Sequence, residues 1–457
     1  MDFRNFICFN STNHIEGAIM LSRSISIIGA GISGISCAEF ALKLGYKVFL
    51  SEISNKDIKI KNNKNLKIET GQHSDEILNS NYIILSPGIP QNIEIIEKAK
   101  RKKIPIINEI EFGSWFCEHD ILAITGSNGK STTCMMLHEI LVNNGYQSYL
   151  GGNFGIPFTK NLIRTMNNKS DRIVHVLELS SFQIELLSNF KSDMSCILNI
   201  SQDHLDRYIN MESYVETKLK ILKFSKKTFY NNKDINLKKK INSDHNPNYY
   251  KIDSNTSSFR INNRSIVTKS GEILFNLEET NFVGDHNLQN AISACTLAFH
   301  YGVDKNSISQ SIKKIKPLNH RIEYIGQYSN VKYYNDSKST NLNSTIKAIK
   351  SFEKNVILIL GGQNKGFDFS ELKSFSKKIK LIFCYGDSGL DISESLHPYF
   401  KTYFKSNFRK CIIEAVRMSS ENDNILLSPG CSSYDQFDNF EKRGDSFKKI
   451  ISEIHYV

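Results

Sequence analysis

The chain has 457 residues, 40% hydrophobic and 23% charged, with a mean hydropathy of −0.33. That is about three domains' worth of globular chain, not a disordered or fibrous one, and no apolar run is long enough for a membrane-spanning helix. The 58 Lys and Arg against 47 Asp and Glu give a net charge of +11, which admits nucleic acid, acidic lipid or small polyanions, or a lysine-rich surface with no partner. The densest basic stretches, Lys98–Lys103 and Lys238–Lys240, lack interleaved aromatics and any nucleic-acid motif. Nine dispersed cysteines without a CxxC pair fit a reducing cytosol.

Residues 1–19 carry Asp2, Arg4 and Glu16 and no long apolar core, so they do not read as a signal peptide. They are either a disordered extension or lie upstream of a true start at Met20. The first unit then opens with Ile25–Ile28 as a strand, Gly29, Gly31 and Gly34 as G-x-G-x-x-G, Ile32–Leu44 as a helix and a second strand ending in Glu52. This βαβ pattern, with glycines at the strand-to-helix turn, predicts a diphosphate site. NAD or FAD with Glu52 on a ribose, another diphosphate, and a merely tight turn all remain open. The strand Tyr82–Leu85 ends at SPGIP, a helix covers Ile93–Arg101, and Ile104–Ile107 is extended.

A second unit begins near Asp120 with a strand, the loop TGSNGKSTT and a long helix. Gly126 and Gly129 let backbone N–H groups converge on phosphate oxygens at a helix start. Lys130 is placed to neutralise phosphate charge and Ser131 to ligate Mg²⁺. The loop G-x-x-G-K-S-T is shorter than the ordinary P-loop. Strands are expected at Val174–Glu178 and Cys196–Ile200, and helices at Met211–Phe224 and Asn287–Tyr301. The polar stretch Asn231–Ser258 reads as loops and edge strands. Glu178 ends one strand, and Asp203, His204 and Asp206 follow the next. Carboxylates and an imidazole at the same sheet edge as a phosphate loop suit a Mg²⁺-nucleotide site.

A third unit starts near Pro317, with strands expected at Lys332–Tyr334, Val356–Leu360, Leu381–Tyr385 and Asn424–Leu427. The alternation of strands and helices throughout predicts an α/β protein with largely parallel sheets. The expected domains are 1–116, 117–316 and 317–457.

TGSNGKST, GGNFGIP, ELSSFQ, LNISQDHLDRY, GDHNLQN, NHRIE, NDSKSTN, LGGQNKGFDF and LLSPGCSSYDQFDNFEKRGDSF occur in this order from the second unit onward. Together with the first glycine loop they resemble the Mur ligase family of peptidoglycan synthesis, and within it the branch that adds D-glutamate. The resemblance spans about Ile25 to Phe447, and the DNPR-type signature of the diamino-acid-adding branch is absent. It implies a Rossmann-like N-terminal domain for a UDP sugar, a central P-loop-type ATPase domain and a Rossmann-like C-terminal domain around one cleft, with hinges near Phe116 and Pro317. It implies a cytoplasmic enzyme, monomeric, with no nucleic-acid or membrane partner. The resemblance further implies that ATP phosphorylates the carboxylate of UDP-N-acetylmuramoyl-L-alanine and that the D-glutamate amine attacks the acyl phosphate.

The resemblance also implies roles for residues. Gly31, Ile32 and Ser33, with Ser86 and Gly88, hold the UDP diphosphate, which displaces the flavin or nicotinamide alternative. Glu52-Ile53-Ser54 departs from the Asp-Thr-Arg-like run of better-known members. Asn153 contacts the sugar-phosphate substrate. Gly126, Ser127, Asn128, Gly129, Lys130, Ser131 and Thr132 hold ATP phosphates. Ser131 and Glu178 ligate a first Mg²⁺ and His204 a second, with Lys218 as a carbamylated, anionic ligand. Asn287 and Asn290 face adenine, and Arg321, Asp336 and Lys338 the rest of ATP. Thr340, Lys365, Ser433, Tyr434 and Phe440 form the D-glutamate pocket, with Tyr434 where leucine is usual.

Overall fold

The structure is a computed structural model that describes residues 23–203, 207–241 and 246–455. The extension expected at 1–19 and the candidate ligand His204 lie outside the described residues.

Five strands build the first sheet: β1 (Ser24–Ile28), β2 (Lys47–Glu52), β3 (Leu66–Thr70), β4 (Tyr82–Leu85) and β5 (Ile106–Ile107). Their order is β3-β2-β1-β4-β5, and every pair is parallel. Strand order reverses at β1, so the turn after Ile28 opens at the carboxyl edge where α/β sheets take ligands. β2 is buried from Val48 to Glu52, as expected for a parallel strand covered on both faces.

The second sheet contains β6 (Asp120–Thr125), β7 (Gln147–Gly152), β8 (Ile173–Glu178), β9 (Ser192–Ile197), β10 (Ser225–Asn231) and β11 (Tyr249–Ile252), in the order β11-β10-β9-β6-β8-β7. Three short antiparallel strands follow: β12 (Phe259–Asn262), β13 (Ser265–Thr268) and β14 (Ile273–Asn276). This small sheet was not expected, because its strands are four residues each and carry no long apolar run. Its one local cue is the two-residue turn at Asn263-Arg264, where Asn263 takes φ 51°, a tight-hairpin conformation that Asn tolerates. The helix expected over Met211–Phe224 is α-helical only to Leu219 and finishes as a 3₁₀ turn, Lys220–Phe224. Within the stretch read as loops and edge strands, Ile235–Ile241 forms a helix.

The last sheet comprises β15 (Glu323–Tyr328), β16 (Val331–Asn335), β17 (Val356–Gly361), β18 (Ile379–Tyr385), β19 (Thr402–Phe404) and β20 (Asn424–Gly430). Its order is β15-β16-β20-β17-β18-β19, antiparallel only at β15–β16. Alternate residues of β17 feed two cores. Val356, Leu358 and Leu360 join one cluster with Leu342, Ile349 and Phe369. Ile357 and Ile359 join the other with Phe383, Phe408 and Phe447. The period of two that puts successive side chains on opposite faces explains why the whole strand reads apolar.

Two compact units are distinguishable. The first contains the described residues through Leu122 with Ser148–Asp193 and Lys223–Ser225; the second contains Ala123–Gln147, Met194–Leu222 and the rest of the chain from Lys226. Within the first unit, Phe116 packs edge-on against Phe40, Tyr46 and Phe112. Among the described residues no helix is long and apolar enough to cross a membrane.

Candidate active site

In the first unit the glycine turn is shaped partly by packing. A Cβ on Gly34 would lie 1.9 Å from the Gly29 carbonyl oxygen, so that position admits only glycine, whereas a Cβ on Gly31 would meet nothing within 4 Å. Gly31 is therefore not required by the fold itself, and the space beside it is open to a ligand. Ile32, at the start of the following helix, is 80% exposed. The Ser86 hydroxyl donates to the Gly29 carbonyl at 3.0 Å, which ties SPGIP to the turn. Glu52 is occupied by its own neighbourhood: it accepts from the Ala30 amide at 2.8 Å, from Ser54 and from Lys56. Burial opposes its ionisation, but those donors outweigh it and hold its carboxyl down at about 2. Glu52 thus braces the turn as an anion.

Also in the first unit, Asn153 and Glu178 are partners. The Asn153 side chain donates to Glu178 Oε1 at 2.8 Å, and its backbone amide donates to the Glu178 carbonyl at 2.9 Å. Glu178 ends β8 almost fully buried. The expected substrate contact and the expected metal ligand are therefore held together.

The second glycine loop belongs to the second unit. Gly129 takes φ 88°, and a Cβ there would lie 2.1 Å from Asn290 Oδ1. This both explains the glycine and brings Asn290 against the loop. Asn290 donates to Asn287, which in turn donates to the Val283 carbonyl. Lys130 Nζ donates to the carbonyls of Gly126 and Ser127, each at 2.9 Å. Lys218, buried in its helix, also reaches the Gly126 carbonyl at 2.9 Å and lies over the Tyr214 ring. Ser127 hydrogen-bonds Tyr214 and Ser201. Ser131 and Thr132 are buried in the first turn of the helix that opens at Lys130.

Residues expected to complete the nucleotide site also lie in the second unit. Asp336, at the end of β16, is buried and accepts from Ser339 at 2.6 Å, Ser428 at 2.7 Å and the Ile322 amide at 3.2 Å. Burial raises its carboxyl to about 6, against the pull of those donors and of Arg321. Oδ2 thus accepts two of these bonds and Oδ1 one. Lys338 Nζ sits 3.9 Å from the centroid of the Phe440 ring, a close cation–π contact. Thr340 and Lys365 are half-buried, Ser433 is buried and Tyr434 is 73% exposed.

Beneath these residues lies an arginine that the sequence contained in FEKRG but did not single out. Arg443 is fully buried. It donates to the Ser337 hydroxyl (2.9 Å) and carbonyl (2.7 Å), the Cys431 carbonyl (3.1 Å) and Tyr385 Oη (3.3 Å). Ser337 in turn donates to the Phe440 carbonyl at 2.8 Å. One guanidinium thereby links the NDSKSTN loop, the PGCSS loop and Phe440.

Comparison with known proteins decides the family. Residues 23–108 match the model of the Mur ligase MurD-like, N-terminal domain, 124–298 the Mur ligase middle domain, and 320–431 the Mur ligase, glutamate ligase domain. The UDP-N-acetylmuramoylalanine--D-glutamate ligase of Thermoanaerobacter pseudethanolicus is 34% identical over 452 residues, covering 94% of this chain and 98% of that protein. A ligase of the same name from Elusimicrobium minutum is 35% identical over 447 residues, covering 94% and 97%. The chain is a Mur ligase.

The three-domain α/β fold of Mur ligases is borne out by solved structures. UDP-N-acetylmuramate-alanine ligase MurC from Thermotoga maritima superposes with TM-score 0.62 at 17% identity, covering 94% of this chain and 99% of that one. MurF from Acinetobacter baumannii gives 0.59 at 12% identity, covering 95% and 93%. As in other Mur ligases, ATP and Mg²⁺ are required, and the donor chemistry fits them. Ser131 and Glu178 are buried hard-oxygen donors of the kind Mg²⁺ takes. Lys218 as an ammonium is not such a donor.

Proposed function

We propose that this Mur ligase adds D-glutamate to UDP-N-acetylmuramoyl-L-alanine in the cytoplasm, consuming ATP and releasing ADP and phosphate. The observation that carries this reading is full-length similarity, at 34–35% identity, to ligases named for that reaction. The proposed domains are 1–116 for the UDP sugar, 117–316 for ATP and Mg²⁺, and 317–457 for the amino acid, in a monomer.

A free carboxylate resists an amine, so the alanyl carboxylate must first take the γ-phosphate of ATP. Two anions then have to meet, and Lys130 is the residue proposed to neutralise the transferred group. A first Mg²⁺, held by Ser131 and Glu178, and a second, held by His204, would screen the remaining charge. The amine of D-glutamate attacks the acyl phosphate, the C–N bond forms, and phosphate leaves with the carbonyl restored. Lys365, with the hydroxyls of Thr340 and Ser433, is proposed to bind the amino acid's carboxylates. Phe440 would supply an apolar wall and Tyr434 a rim hydroxyl. Gly31, Ile32, Ser33, Ser86, Gly88 and Asn153 are proposed to seat the UDP sugar. Asn287, Asn290, Arg321, Asp336 and Lys338 are proposed to seat ATP.

Lys218 is proposed to act as a carbamate. The ammonium first loses a proton, the free amine nitrogen bonds to the carbon of CO₂ and a second proton leaves to solvent, so a cation becomes an anionic oxygen ligand. The test of the whole reading is amide formation by the purified chain from the three substrates, with amino acids other than D-glutamate failing to replace it.

A further inference from the structure

We infer that Asn128 is a positioning residue that fastens the glycine loop to the start of the helix Leu342–Lys350, so that the loop's state is transmitted to the Thr340 side of the amino-acid pocket; this rests on the readings of that loop and pocket proposed above. Among the described residues Asn128 makes six hydrogen bonds. Two are backbone bonds to one side chain: its amide donates to Asn199 Oδ1 at 2.9 Å, and Asn199 Nδ2 donates to its carbonyl at 2.8 Å. The other four use its own carboxamide. Nδ2 donates to Ser201 Oγ at 3.2 Å and Asn343 Oδ1 at 3.3 Å. Oδ1 accepts from Ser344 Oγ at 2.7 Å and Asn341 Nδ2 at 3.4 Å. A primary amide has two N–H bonds and two lone pairs, so this one is saturated.

Three of those partners stand at the beginning of one helix. Asn341 is its N-cap and accepts from the Ser344 amide at 2.9 Å. It is buried, and its Nδ2 also reaches Asp203 Oδ2 at 3.3 Å. The residue before the cap is Thr340, assigned to the amino-acid pocket. On the other side of Asn128 stands Gly129, pinned against Asn290 at φ 88°. A loop held between Asn199 and Asn290 has little freedom to yield at its own ends. A rearrangement of residue 128 when phosphates are bound therefore reaches Asn341 and Ser344 directly. Aspartate could not replace it, because both donors would be lost and a carboxylate would face Asn343 Oδ1. Linkage requires that such coupling work in both directions between the two ligands.

The test is a double-mutant cycle on the full-length chain with Asn128→Ala, Ser344→Ala and the double variant, measuring KM for D-glutamate at saturating ATP and UDP-N-acetylmuramoyl-L-alanine. Each single variant is expected to raise KM for D-glutamate about fivefold to tenfold, the loss of one to two hydrogen bonds. KM for the UDP sugar should move less than twofold (~). The double variant should be no worse than the poorer single variant, as for two members of one contact. Multiplicative losses in the double variant, or an unchanged D-glutamate KM in Ser344→Ala, would overturn the inference. If the Asn128 variant does not fold, the KM split of Ser344→Ala decides alone. A wild-type chain that forms no product would instead remove the proposed function.

Discussion

Lys130 and Lys218 meet at a single acceptor: both ammonium groups donate to the carbonyl oxygen of Gly126, each at 2.9 Å. Two like charges so close repel by an amount on the order of 3 kcal/mol in a partly solvated protein interior. The glycine loop thus brings two lysine side chains to one carbonyl. Carbamylation of Lys218 would convert the repulsion into attraction while leaving Lys130 to face phosphate.

That relationship makes bicarbonate dependence the natural probe of Lys218. Lys218→Ala should lose at least about a hundredfold in kcat, the scale of removing a group that stabilises transition-state charge. Wild-type activity should fall in CO₂-depleted buffer and recover on adding bicarbonate. The variant should be indifferent to bicarbonate. Initial rates of phosphate release under both conditions check this, and equal rates for the two proteins would remove the carbamate.

Arg443 gives a stability prediction with a local consequence. Its guanidinium satisfies two carbonyls and two hydroxyls in a fully buried position. Arg443→Ala leaves those acceptors without their donor and opens a void, and should cost about 3 kcal/mol. Arg443→Lys keeps the charge but loses the planar fork, so it should recover only part of that loss. Urea unfolding of the three proteins measures the difference. Equal midpoints would show that the guanidinium is not what holds these loops.

Two buried groups of the first unit should tilt stability with pH in opposite directions. Burial, with the nearby His119 charge, pushes His175 down to about 3. Among the described residues neither of its ring nitrogens has a hydrogen-bond partner, and the rings of Tyr149, Phe158 and His119 surround it. It is neutral when folded, and the unfolded chain takes the proton more readily. Its contribution is complete above about 6.5 and is lost as pH falls toward 3, with a slope approaching about 1.4 kcal/mol per pH unit. His175→Leu should flatten that acid limb in melting temperatures recorded from pH 3 to 7.

Glu109 behaves the other way. Burial raises its carboxyl to about 7, although the Thr159 amide donates to it at 2.6 Å. Its contribution is complete below the unfolded value of about 4.5 and is lost as pH rises through 7. Glu109→Gln should therefore gain on wild type in melting temperature between pH 5 and 8. Parallel pH profiles for the variant and wild type would show that the carboxyl does not titrate in this window.

The parts legible from sequence were those set by local rules. Apolar runs such as Val356–Leu360 announced parallel strands because both faces are buried, and the glycine loops announced themselves by strand, turn and helix together. Asn153 and Glu178 come from separate motifs, and their hydrogen bond to each other could not be read from either. Asn128 was singled out as a loop residue, but its partners Asn341, Asn343 and Ser344 lie more than two hundred residues away. Arg443 stood in a quoted motif, yet an arginine in a helix reads as solvated until its burial is seen. The small sheet β12–β14 was missed because its strands are only four residues each, too short to establish a period. The bonds that Asp336 accepts from Ser428 and the Ile322 amide depend on long-range packing that no local pattern encodes.

The most direct measurement is phosphate release by the purified full-length chain with ATP, Mg²⁺, UDP-N-acetylmuramoyl-L-alanine and a panel of amino acids. Release that requires both the UDP sugar and D-glutamate, with one ADP formed per amide, is the predicted result. Equal release with L-glutamate or a diamino acid, or release independent of the UDP sugar, would contradict the assignment.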